Sequence, residues 1–95
     1  MKYFNLTETP VTSVETITTL PNELGDKLTE CLSRGVEKDA VSLSALMNQV
    51  GIRGFIIDPA NTPDATKHIL RKVSQLRGDC SAYSLSAGQL VPANV

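Results

Sequence analysis

Residues 42–58 read SLSALMNQVGIRGFIID, and the predicted fold depends on how this segment is interpreted. Apolar residues at the spacing of one helix face predict a short helix over 42–50, and Gly51 can end it. The apolar run at 54–58 then precedes a proline and predicts a buried strand or an extended link across the core. The stretch is therefore either a helix followed by a strand or the first half of a helix-turn-helix.

Two further helices are predicted on either side of this stretch. In 21–34, PNELGDKLTECLSR, leucines share one face with Cys31, which we interpret as a core residue. Gly35 follows as a natural stop. The TPD stretch at 62–64 combines an N-cap, a proline and an acid, so it predicts the start of a helix over 63–77.

Both ends of the chain favour extended structure. Residues 2–20 are rich in threonine and other β-branched residues, and Phe4 alternates with polar neighbours as on a strand. In the tail, apolar and polar residues alternate around Tyr83, and SAG at 86–88 predicts a hairpin turn.

These elements predict an extended N-terminal arm over 1–20 and one small α+β domain over 21–95. The domain has about three helices and a small antiparallel sheet built from the tail hairpin, with the arm and 54–58 as alternative further strands. A winged helix-turn-helix is the alternative, because its helices and terminal hairpin follow the same order. LSALMNQVGI at 43–52 resembles the first helix and turn of many bacterial regulators.

In the winged-helix alternative, the helix over 63–77 would enter the major groove of DNA. Its candidate DNA contacts are Lys67, His68, Arg71 and Lys72. Against this alternative, residues 52–61 make a long connection between the two helices, and the tail hairpin has no lysine or arginine for phosphate. The net charge of -1 also leaves little positive charge to neutralise a DNA backbone.

No motif in the sequence indicates an enzyme. His68 is the one histidine, and no P-loop, dinucleotide-binding glycine motif or Gly-x-Ser-x-Gly stretch occurs. Asp58 follows an apolar run, where α/β enzymes often place a catalytic carboxylate. Because no second carboxylate or base accompanies it, we interpret Asp58 as a cap of the loop that Pro59 opens. We therefore predict no catalytic residue, no metal, no cofactor and no small-molecule substrate.

The remaining interpretation is a small protein-binding or assembly protein. Only 4% of the chain is aromatic, which predicts a thin core that contacts with a protein partner or a second copy complete. The arm offers β-branched residues that could add a strand to another chain's sheet. Candidate interface residues are Phe4, Leu6, Val14 and Ile17.

The sequence also predicts where the protein works. No stretch approaches the length of a membrane span, and the N-terminus lacks the apolar segment of a secretory signal. Cys31 and Cys80 have no partner motif, which favours reduced thiols. We expect a cytoplasmic protein, or a virion protein if it derives from a phage. Small accessories and inhibitors from phages and mobile elements share its size and lack of motifs.

Overall fold

The structure is a computed structural model, and it describes residues 2–7, 9, 11, 16–17, 20 and 22–95. In chain order the elements are β1 (Lys2–Asn5), β2 (Thr16–Ile17), α1 (Asn22–Arg34), a short 3-10 helix (Glu37–Asp39), α2 (Ala40–Val50), β3 (Ile52–Ile56), α3 (Asp64–Arg77), β4 (Ala82–Ser86) and β5 (Gln89–Pro92). The described chain is thus a mixed α+β fold with three α-helices, which confirms the predicted class.

The strands form one sheet in the order β2-β1-β3-β4-β5, which is larger than the predicted hairpin. Only β4 and β5 pair antiparallel, around a turn in which Ala87 and Gly88 both have positive φ. The other three pairings are parallel, whereas we predicted an antiparallel sheet. For β3, parallel pairing arises because α1 and α2 precede it and α3 follows it, so that helices carry the chain back across the sheet before and after this strand.

The winged-helix alternative does not describe this architecture. β3 separates α2 from α3 and pairs with β1 on one side and β4 on the other. It begins at Ile52, two residues before the predicted strand, and its register against β1 shifts at Arg53. The connection over 52–61, which argued against a helix-turn-helix, is therefore a central strand and its following loop.

The described part of the predicted arm belongs to the same sheet. β1 is an inner strand between β2 and β3, and β2 is an edge strand. Phe4 lies beside Ile17 on β2 and meets Phe55 on β3, with ring centroids 6.1 Å apart in an edge-to-face arrangement.

One hydrophobic core lies between the helices and one face of the sheet. All three helices contribute to it, and Phe55 and Ile57 contribute from the region of β3. The core is mainly aliphatic, as the composition predicts. Cys31 packs against this core as predicted, and burial, helped by the nearby carboxylates of Asp39 and Glu30, raises the pKa of its thiol.

Candidate protein-interaction surface

The sheet has a second face, opposite the helices. Phe55 and Ala82 belong to the core beneath the helices, so their strand neighbours Gly54 and Tyr83 lie on the second face. The three helices all pack into the single core cluster. Among the described elements, therefore, no helix covers this second face.

Two tyrosines meet on this face, across a glycine. The ring centroids of Tyr3 and Tyr83 are 5.3 Å apart, with an angle of 83° between the ring planes. Tyr3 is the register partner of Gly54, and a Cβ on Gly54 would lie 2.7 Å from the ring of Tyr83. The absence of a side chain at Gly54 therefore allows the ring of Tyr83 to lie against β3.

The second face continues from the tyrosines to the edge of the sheet. Leu85 follows Tyr83 by two residues and shares its face, and Leu90 lies opposite Leu85 on β5. Pro92 lies opposite Tyr83. We name this surface the tyrosine face; its members are Tyr3, Gly54, Ile56, Tyr83, Leu85, Leu90 and Pro92.

The tyrosine face carries no formal charge. The hydroxyl of Tyr83 donates a hydrogen bond of 3.2 Å to the main-chain oxygen of Cys80. Burial raises the pKa of Tyr83 although the guanidinium of Arg53 opposes this shift, so the phenol stays neutral at physiological pH. Beside it, Arg53 forms an ion pair with Asp79, with 2.7 Å between Nη1 and Oδ2. The charges near the face thus compensate each other.

The structure separates the residues that we predicted as an interface. Phe4 and Ile17 are register partners that pack against the core, whereas Leu6 follows β1 and is 37% exposed. Val14 lies outside the described residues. The sequence prediction missed Tyr3 and Tyr83, although their alternation with the core residues beside them would have placed both on the opposite face.

The candidate DNA contacts lie on α3, and two of them are bound within the chain. Nε of Arg71 donates a hydrogen bond of 2.8 Å to the main-chain oxygen of Val95. Nζ of Lys72 lies 3.4 Å from a carboxylate oxygen of Glu37. Lys67 and His68 are half-buried. These contacts reduce the positive charge that α3 can offer to phosphate.

We expect the protein not to bind a mixed-sequence DNA duplex, even at low salt, because phosphate neutralisation dominates such binding. Fluorescence anisotropy of a labelled duplex, at low and at moderate salt, measures this. A Lys67→Ala/Arg71→Ala variant provides the comparison. Binding that weakens with salt and is lost in the variant would contradict the expectation and support a DNA-binding role for α3.

Asp58 caps its own loop, as predicted. Its carboxylate accepts hydrogen bonds from the main-chain N–H of Ala60, at 3.2 Å, and from the side-chain amide of Asn61, at 2.6 Å. Cys31 and Cys80 are both free thiols. Within the described ranges, no three side chains of histidine, cysteine, aspartate or glutamate are grouped to hold a metal ion.

Comparisons of the chain with protein-family models, with curated proteins and with solved structures found no significant match. In the described part of the chain, no helix combines the length and the apolar character that crossing a membrane requires.

Proposed function

We propose that the protein is a non-enzymatic assembly protein that pairs with a second copy of itself through the tyrosine face. The observation that carries the proposal is a largely parallel sheet with helices on one side only. Sheets of this kind are usually covered on both faces, because an uncovered face leaves apolar side chains in water. Ile56 on this face is already buried, whereas Tyr3, Tyr83, Leu85 and Leu90 are half-buried, and a second copy would cover the part of these four that remains in water.

The chemistry of the tyrosine face favours a second copy as its partner. The face has no charge that would select an oppositely charged partner, and an identical face meets no repulsion. Two-fold pairing brings the same patch together from both subunits, so an uncharged aromatic and aliphatic patch complements itself. Tyrosine is also enriched at protein interfaces, because its ring is apolar and its hydroxyl can remain hydrated.

Pairing through the sheet edge, which we predicted from the arm, has less support than pairing through the face. β1 has strands on both sides, so its main chain cannot accept a third, and β2, the edge strand of the arm, is only 2 residues long. On β5, Ala93 donates to Ala82, which turns the main chain of Leu90 and Pro92 outward. Because proline has no N–H, this outer edge offers few donors to an added strand.

The proposal includes the setting in which the protein works. Free thiols at Cys31 and Cys80 support a reducing compartment, so we propose the cytoplasm, or a virion for a phage product. Its small size and lack of motifs support an accessory or inhibitor role like those of small phage and mobile-element proteins.

The mass of the protein in solution tests the proposal. Light scattering coupled to size exclusion, over a range of concentrations, should show a dimer. A Leu90→Arg substitution on the tyrosine face should give a monomer, because pairing would bury two facing guanidinium groups. Leu76→Arg is the matched control: Leu76 lies on α3 and is 54% exposed, so this variant should remain dimeric.

Circular dichroism of both variants should match the wild type. A lower mass then reports dissociation of the dimer and not unfolding. A monomeric wild type at every concentration, or a Leu90→Arg variant as dimeric as the Leu76→Arg variant, contradicts pairing through this face. A wild type that is monomeric alone but binds a different protein through Leu90 would replace the second copy with that partner.

A further inference from the structure

A crevice opens at the carboxyl ends of the central strands. It is open to solvent on one side and has a volume of about 610 Å³, which falls within the size range of ligand pockets in proteins. We name it the strand-end crevice; its described lining residues are Leu6, Thr7, Thr9, Ile56, Ile57, Asp58, Pro59, Asn61, Thr62, Ser84 and Leu85. Its walls are therefore aliphatic, with hydroxyl, amide and carboxylate groups among them.

The order of the strands explains why the crevice forms there. β1 and β3 are parallel neighbours, but the chain leaves β1 towards β2 on one side and leaves β3 towards β4 on the other. Loops that follow neighbouring parallel strands in opposite directions leave a gap between them. In open α/β sheets, ligands bind at such a point, outside the carboxyl ends of the strands.

Each of the two diverging loops is held by a side chain at its start. On the β1 side, the side-chain oxygen of Asn5 accepts hydrogen bonds from the N–H of Thr7, at 2.9 Å, and from its hydroxyl, at 2.6 Å. The amide of Asn5 also donates to the main-chain oxygen of Thr9 at 2.8 Å. On the β3 side, Asp58 holds its loop through Ala60 and Asn61. Both walls are therefore formed before any ligand arrives.

The charge of the crevice indicates what it can bind. Asp58 is the one ionisable residue among the described lining residues, and no described cation pairs with it. The main-chain oxygen of Asp58 accepts a hydrogen bond of 2.7 Å from the Thr62 hydroxyl. The hydroxyl of Ser84 makes no hydrogen bond with a described residue. The crevice therefore combines one negative charge and a free hydroxyl with walls that are polar in part and apolar in part.

We propose that the strand-end crevice binds a small organic cation, an ammonium or guanidinium group on an apolar body. The cation contacts the carboxylate of Asp58, and the apolar body lies against Leu6, which is exposed, and Leu85, which is half-buried. A free anion is disfavoured, because no described lining residue carries a positive charge to receive it. The crevice shares Ile56 and Leu85 with the tyrosine face, but Asp58, which would receive the cation, lies outside that face, so the proposal does not rest on pairing.

Three probes that differ only in their polar group test this proposal. Phenethylammonium, 2-phenylethanol and 3-phenylpropionate share an aromatic body and carry a positive, a neutral and a negative group. Each is titrated into isotope-labelled protein, and amide chemical shifts are followed by NMR. We expect phenethylammonium to shift the amides of the crevice with a Kd of about 1 mM, weakening as salt rises. The alcohol should bind more weakly and the carboxylate not at all.

Two variants locate the site. Asp58→Asn removes the charge while its side-chain oxygen can still accept from Ala60, so phenethylammonium should bind about tenfold more weakly. Asp64→Asn removes an exposed acid at the start of α3, outside the lining, and should leave the Kd unchanged. Leu6→Lys places a cation at the entrance without touching the Asp58 loop, so it should weaken binding even if Asp58→Asn destabilises that loop.

Equal binding of the ammonium and the alcohol would overturn the claim of charge recognition. Shifts that lie outside the lining residues, or that are the same in Asp58→Asn and Asp64→Asn, would overturn the site itself. Repeating the titration with the Leu90→Arg variant separates the two proposals, because loss of pairing should leave phenethylammonium binding intact.

Discussion

Replacement of Gly35 by alanine is expected to lower the free energy of unfolding by about 3 kcal/mol or more, from left-handed backbone strain plus overpacking. Gly35 has a φ of +60°, which a side chain disfavours. A Cβ there would lie 2.3 Å from the main-chain oxygen of Ala65, so α1 and α3 would have to separate. Urea unfolding followed by circular dichroism measures the loss.

Gly51→Ala is the matched control for this prediction. Gly51 ends α2 with a φ of +76°, but no atom lies within 4 Å of a Cβ built there. The free energy of unfolding of the Gly51→Ala variant should therefore fall by only about 1–2 kcal/mol, the cost of the left-handed conformation. Equal losses in the two variants would show that the packing of α1 against α3 is not as close as the structure indicates.

Phe55→Ala is expected to cost about 3–5 kcal/mol of stability, because it empties a fully buried aromatic site in the central strand. Phe55 has no exposed surface and contacts the ring of Phe4 from the neighbouring strand. In a domain whose total stability is about 5–15 kcal/mol, such a loss leaves little folded protein in mild denaturant. Urea unfolding measures it, with Leu76→Ala, on the exposed side of α3, as the control that should change little.

A double-mutant cycle tests the contact between the two rings. Phe4→Leu and Phe55→Leu keep apolar side chains and remove the edge-to-face pair. The double variant should lose about 0.5–1.5 kcal/mol less than the sum of the single variants. Additive losses would show that the two rings do not interact across β1 and β3.

The helices could be predicted closely because their signals are local. The predicted spans 21–34, 42–50 and 63–77 lie within two residues of α1, α2 and α3. Each has an apolar stripe at helical spacing and a glycine at its end. The tail hairpin was also predicted, because alternation and turn residues lie within a few positions of each other.

The parallel pairing could not be predicted, because it joins residues that are far apart in sequence. The residues around Phe4 and around Phe55 each predict a strand, but nothing in either segment indicates that the two strands pair with each other. The tyrosine face depends on that register: Tyr3 meets Tyr83 only because Gly54 lies between them.

The strand-end crevice could not be predicted from the sequence for a related reason. The role of Asp58 in its loop follows from neighbouring residues and was predicted correctly. The gap beside it depends on the directions in which the chain leaves β1 and β3, which only the strand order determines. The predicted interface residues were misplaced for the same reason. Phe4 packs against the core because its strand lies between β2 and β3.

The inner position of β1 has a consequence for synthesis on the ribosome. β1 emerges from the exit tunnel well before its partner β3, because β2, α1 and α2 lie between them in the chain. Until then the apolar side of β1 has no completed core to enter, whereas α1 and α2 can form early from local contacts. The nascent chain therefore completes its central sheet late, and this first strand is the segment that a chaperone would have to shield.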